Sequence, residues 1–159
     1  MNDSWNSFAD MLRAERDQLR VLNTVAVELT NALVEDNADA ISLAERKLEV
    51  EQSRHNAVFV RRTETQKRGF GDMSIASVIA YAPREIAWNL YGDMCEIQVS
   101  THALGITNEN NKALIVAGMD RLMKTVAIIQ RAGTEQPGTY KRRGTVPPPD
   151  GSVLVSRRA

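Results

Sequence analysis

The chain has 159 residues, 43% of them hydrophobic and 25% charged, which is enough apolar material for a buried core and excludes a disordered polymer. Lys plus Arg balances Asp plus Glu at 20 each, so no global field draws the chain to nucleic acid or anionic lipid, and 5% aromatics point to an aliphatic, helical core. No apolar run reaches the ~20 residues of a membrane span; "MNDSWNSFADM" lacks the basic and apolar blocks of a secretory signal, and one cysteine, Cys95, suits a reducing compartment. The expectation is a soluble, cytoplasmic helical protein.

The first helix is expected to begin near Asp3 or Ser4, either of which can cap it. Trp5, Phe8, Leu12, Leu19, Leu22, Ala26, Leu29 and Leu33 then recur at three-four spacing, a seam broken where Glu15 takes a slot. In "EDNADA", Glu35 to Ala40, Asn37 and Asp39 favour a turn and a new cap. A second helix is expected from about Ile41, with "SLAE" at Ser42 to Glu45 in capping-box spacing. Its seam of Ile41, Ala44, Leu48, His55 and Val58 is thin, and its end, "RRTETQKR", is heavily charged. A helix this polar needs tertiary support. The glycines of "GFGD", Gly69 to Asp72, stop it. "MSIASVIAY" then reads as one short helix bringing Ile75, Val78 and Ile79 against the bundle's end.

The third long helix follows Ala82-Pro83, proline being tolerated at the first helical position. Ile86, Leu90, Met94, Ile97, Thr101, Leu104, Asn108, Asn111, Ile115, Gly118, Leu122, Thr125 and Ile129 keep three-four spacing until Gly133. At 1.5 Å per residue a run of ~50 residues spans ~75 Å, so its end is expected to overhang the others or bend near Gly105 or Gly118. Beyond it, four of the five prolines and almost no periodicity point to a flexible tail. The expected fold is therefore all-α: an antiparallel bundle of three long helices plus one short helix over 1–132, with a flexible C-terminal tail over 133–159.

Chemistry-bearing patterns are sparse. The residues three before His55 and His102 are Gln52 and Val99, so the paired Glu-x-x-His units of a di-iron bundle are missing. Cys95 and His102 share a helix face at ~10 Å, too far for thiolate activation. "GFGD" lacks the lysine and the following Ser/Thr of a phosphate-cradling loop. Neither an enzyme nor a metal or cofactor site is expected. The basic clusters Lys141-Arg142-Arg143 and Arg157-Arg158, with only Tyr140 interleaved, are read as a solvated tail and not as a nucleic-acid site.

The end of the third long helix is more informative. At ~100° per residue, Met119, Leu122, Val126 and Ile129 fall within about 40° of Ile115. Val116 and Met123 lie ~80 to 100° around and widen the apolar surface beyond what one seam requires. Two readings follow: a fuller three- or four-helix core, or a groove left open for an amphipathic partner helix, which flexible methionines at 119 and 123 would suit. Asn108 and Asn111 on the seam bear on the same question. They either trade stability for register and mark the end of the tight bundle, or sit at its boundary bonded to water.

Asn108-x-x-Asn111-x-x-Leu114-Ile115, the apolar helix continuing to Ile129, and a glycine-rich break with Tyr140 and Gly144 resemble the FlgN-type flagellar export chaperones. The likeness extends loosely over 5–144 through diffuse helical patterns. It implies an all-α antiparallel bundle without catalysis. Such a protein binds the C-terminal helical segments of hook–filament junction proteins in the cytoplasm, prevents their premature assembly, and brings them to the cytoplasmic domain of the flagellar export gate. By position, the resemblance places substrate-protein binding on Ile115, Val116, Met119, Leu122, Met123, Val126 and Ile129, and gate docking on Tyr140. The basic "YKRRG" departs from the small residues that commonly follow that tyrosine. Other uses of the same surface are a chaperone for another flagellar or type III substrate, or a helical-bundle scaffold that self-associates.

Overall fold

The computed structural model describes residues 2–134, which form four helices: α1 (Asn2–Val34), α2 (Ala38–Phe70), α3 (Ile75–Ala80) and α4 (Arg84–Thr134). Among the described residues there is no strand, and the fold is an all-α helical bundle. The chain divides into two compact units, Met1–Asp120 and Arg121–Ala159. The first unit holds α1, α2, α3 and most of α4; the described part of the second is the helical stretch 121–134. The expected tail lies outside the described residues from position 135 onward.

Each helix start and stop has a local cause. Asp36 takes the left-handed region (φ 53°), which aspartate tolerates better than most residues, and closes α1. Asn37 then caps α2, its Oδ1 accepting from the Ala40 amide at 3.1 Å. The cap therefore sits at the turn, and Ser42, expected to open a capping box, lies inside α2. Gly71 (φ 67°) ends α2, with its amide donating to the Lys67 carbonyl at 2.9 Å. Ser74 caps α3 through the Ser77 amide at 3.1 Å. Pro83 sits just before α4, and its carbonyl accepts from Ile86 and Ala87.

Within the first unit α1 is the central helix, since it packs against both long partners. Towards α2, Glu15 meets Arg62, Gln18 meets Glu51 and Glu28 meets Lys47, so partner numbers fall as α1 advances and the helices are antiparallel. Towards α4, Arg16 meets Asp93, Arg20 meets Glu96, Asn23 meets Ser100 and Thr30 meets Asn111, so these two run parallel. Successive long helices therefore alternate in direction. A double-sided burden explains why α1 buries residues beyond the expected seam, Val25 and Ala32 among them.

The densest packing joins the start of α1 to α3 and the start of α4. Trp5, Phe8, Leu12, Val78, Ile79 and Leu90 are buried together, and Phe8 and Leu12 are wholly covered. Each such side chain contributes about 1.5–3 kcal/mol relative to exposure. Phe70, from the "GFGD" stop, folds back into this cluster with its ring 4.4 Å from Trp5 and 5.6 Å, edge-on, from Phe8. Gly69 permits that approach, because a Cβ there would meet Ser4 Cβ at 3.3 Å.

The seam of α2 continues past Val58 through polar residues. Arg62 and Gln66 are buried, with Arg62 Nε donating to Glu15 Oε2 at 2.7 Å and Arg62 Nη1 to Gln66 Oε1 at 2.9 Å. Gln66 Nε2 in turn donates to the Met73 carbonyl at 2.5 Å. The tertiary support that this polar helix requires is thus a charge-assisted network joined to the α2–α3 turn.

Candidate partner-binding face

Three-four spacing gives α4 one face that packs on α1. Leu90, Asp93 and Asn111 are buried on it, and Ile86, Ile97, Leu104 and Leu114 are half-buried. Asn111 is the polar member at its far end. Its Nδ2 donates to the Ala26 carbonyl at 3.1 Å, and its Oδ1 accepts from Thr30 Oγ1 at 2.7 Å. With 4% exposure, this side chain has both polar atoms satisfied inside the α1–α4 contact. Asn108, assigned to the same seam from its spacing, is exposed, because by that point the buried face has moved to Thr107, Asn111 and Leu114. The same drift leaves Thr101 exposed, its hydroxyl bonded back to the Ile97 carbonyl at 2.8 Å, with Ser100 turned inward instead.

From Ile115 to Ala132 every residue is exposed. In the first unit Ile115 and Met119 lie on the side of α4 where Asn108 is already exposed, and in the second Leu122, Val126 and Ile129 share one face at ~100° per residue. Val116 and Met123, which widen the stripe, are 60% and 70% exposed. All seven residues named for substrate-protein binding are exposed: Ile115, Val116 and Met119 in the first unit, and Leu122, Met123, Val126 and Ile129 in the second. Thr125 on the same stretch turns its hydroxyl to the Arg121 carbonyl at 3.0 Å, so it adds no outward polar demand. Such a surface can offer van der Waals contact and water release, with flexible thioethers that adapt to the incoming shape. Tyr140 lies outside the described residues.

Half a turn away from the face packed on α1, α4 carries a second apolar row. Trp88 is 81% exposed, and Tyr91, Val99 and Ile106 are also exposed. The Trp88 and Tyr91 rings stack at 6.1 Å between centroids. The Tyr91 phenol is raised from its ordinary value, chiefly by hydrogen bonding to Cys95. The signal was present in the sequence as Trp88, Tyr91, Cys95, Val99 and Ile106 at spacings of three, four, four and seven.

A cavity of about 700 Å³ opens where Trp5, Phe70, Met73, Val78, Tyr81 and Pro83 meet; its walls carry no carboxylate, histidine or cysteine. Among the described residues no three His, Cys, Asp or Glu side chains are grouped as metal ligands. Among the same residues no helix is long and apolar enough to cross a membrane. No family model matches the chain, and neither a curated protein nor a solved structure does.

Proposed function

We propose that the chain is a non-catalytic export chaperone of the FlgN type, acting in the cytoplasm on hook–filament junction proteins. The single observation that carries the reading is the exposure of the apolar residues of α4 from Ile115 to Ile129, Val116 and Met123 among them. A secreted subunit exposes an amphipathic C-terminal segment until it assembles, and an exposed apolar face of that kind aggregates. Laid along α4, the segment buries its own stripe against Met119, Leu122 and Val126, in the helix-in-groove manner. Ordering a flexible end on binding costs roughly 2–5 kcal/mol, which keeps the complex dissociable at its destination. By the same resemblance, Tyr140 contacts the cytoplasmic domain of the export gate.

The test is calorimetric titration of the full chain with the C-terminal helical segment of a hook–filament junction protein. Met123→Asp together with Val126→Asp is expected to weaken binding by at least ~100-fold, since two charges would be desolvated in the contact. Helicity by circular dichroism is expected to be unchanged, because both positions are exposed. Unaltered affinity in the double variant contradicts the site. Lost helicity shows that these side chains serve the protein's own packing. Tyr140→Ala is expected to leave cargo affinity intact and to reduce binding to the gate domain.

A further inference from the structure

We infer that the second apolar row of α4 is a homodimer contact, in which α4 of one copy lies antiparallel on α4 of another. The inference is independent of the chaperone reading, since it uses the opposite face of the helix, and every residue in it belongs to the first compact unit. Bundle surfaces scatter single apolar side chains without consequence, but here four exposed ones share one face of α4. Trp88, Tyr91, Val99 and Ile106 together expose roughly 500 Å² of mostly apolar surface, which is at the size where patches mark interaction sites. A tryptophan 81% exposed beside a stacked tyrosine is an aromatic pair of the kind that dominates interfaces.

The occupant follows from the symmetry of the row. Reversed about position 97, the helix places Trp88 opposite Ile106 of the second copy, Tyr91 opposite Ala103, and Cys95 opposite Val99. Each large side chain meets a smaller one, and each contact occurs twice, as a two-fold interface requires. The charged residues at the two ends of the row decide the direction. Arg84 and Glu109 both stand within about 40° of the row's mid-line at ~100° per residue. The antiparallel alignment sets Arg84 beside Glu109 of the second copy at both ends. A parallel alignment would instead set Arg84 against Arg84 and Glu109 against Glu109. Opposite charges in register favour the first and like charges disfavour the second. A standard interface buries about 800 Å² per partner. The apolar row supplies over half of that, with the exposed His102 set inside it between Val99 and Ile106, and Gln98 and the end charges as a polar rim. The expected dimer is therefore small and reversible, with a dissociation constant on the order of 1–100 µM.

Sedimentation velocity on the full chain over about 1–200 µM reads this directly. The wild-type chain is expected to pass from monomer to dimer, and Trp88→Ala to weaken that by at least ~30-fold. Arg84→Glu and Glu109→Arg alone are each expected to weaken it, while the two combined restore it. All these positions are exposed, so circular dichroism should not change. The chain's single cysteine, Cys95, lies two residues from the two-fold position, and a short bismaleimide is expected to link copies through it in the wild type but not in Trp88→Ala. A monomer at every concentration overturns the inference. A dimer indifferent to Trp88→Ala and to both charge reversals does so as well. Loss of the dimer in Met123→Asp/Val126→Asp would assign self-association to the other face and equally overturn it.

Discussion

Replacing Glu15 with Leu should damage this fold even though it puts an apolar residue into a slot of the α1 seam. Glu15 and Arg62 are 4% and 6% exposed, and Arg62 Nε donates to Glu15 Oε2 at 2.7 Å. Without the carboxylate, the guanidinium stays in the α1–α2 contact with only the neutral Gln66 Oε1 at 2.9 Å as acceptor. Removing one member of a buried ion pair costs about 3–5 kcal/mol, because the other charge is left uncompensated. For a chain of this size each kcal/mol moves Tm by ~2–4 °C, so Glu15→Leu should lower it by about 6–20 °C. Arg62→Leu should cost a similar amount for the reciprocal reason. The pair Glu15→Leu/Arg62→Leu removes both charges and restores apolar packing on two seams, and should lie within ~1 kcal/mol of wild type. Urea unfolding followed at 222 nm, with the three variants compared at one pH, gives the numbers. If each single variant costs less than ~1 kcal/mol, or the double variant costs the sum of the two, the ion pair is not the device that joins α2 to α1.

Three further changes separate the caps and the seam from the surface. Asn37→Ala removes the acceptor for the Ala40 amide and should cost ~1 kcal/mol by the same urea assay. Asn111→Ala deletes the bonds to the Ala26 carbonyl and Thr30 and should cost ~1–3 kcal/mol, measured as a shift in the urea midpoint. Asn108→Ala, on the exposed side, should stay within ~0.5 kcal/mol of wild type in that measurement.

The helices were legible because their punctuation is local. Asn37 before α2, Gly71 after it, Ser74 before α3 and Pro83 before α4 act through their own backbones or nearest amides, so their effect can be read without knowing the fold. The α1 seam was legible for a similar reason, since its apolar residues recur at one period. The lower half of α2 was not. Arg62 and Gln66 occupy seam positions with residues that ordinarily mark solvent; Arg62 is paired inside with Glu15, 47 positions earlier, and Gln66 with Arg62 and the Met73 carbonyl. Two breaks in two separate seams turn out to be one interaction. Phe70 was hidden because a residue between two glycines reads as a turn, whereas the turn is what returns its ring to Trp5. Asn108 and Asn111 show the limit of periodicity itself: a helix of 3.6 residues per turn drifts against a strict three-four count. Over the length of α4 that drift decides which asparagine is enclosed.

For the candidate face, the residues were legible and their exposure was not. Met119, Leu122 and Val126 would show the same spacing in a filled core. The outward row from Trp88 to Ile106 was obscured by the stronger seam on the other side of the same helix.

The central claim is that the exposed apolar residues of α4 from Ile115 to Ile129 receive an amphipathic guest helix. Methyl NMR on the full chain labelled at methionine reads that most directly, because Met119 and Met123 lie on the exposed stretch while Met73 and Met94 pack against the core. On adding the C-terminal segment of a hook–filament junction protein, the Met119 and Met123 methyl resonances should shift and saturate together, with Met73 and Met94 unmoved. Resonances of Met119 and Met123 that stay in place as the segment binds would contradict the account.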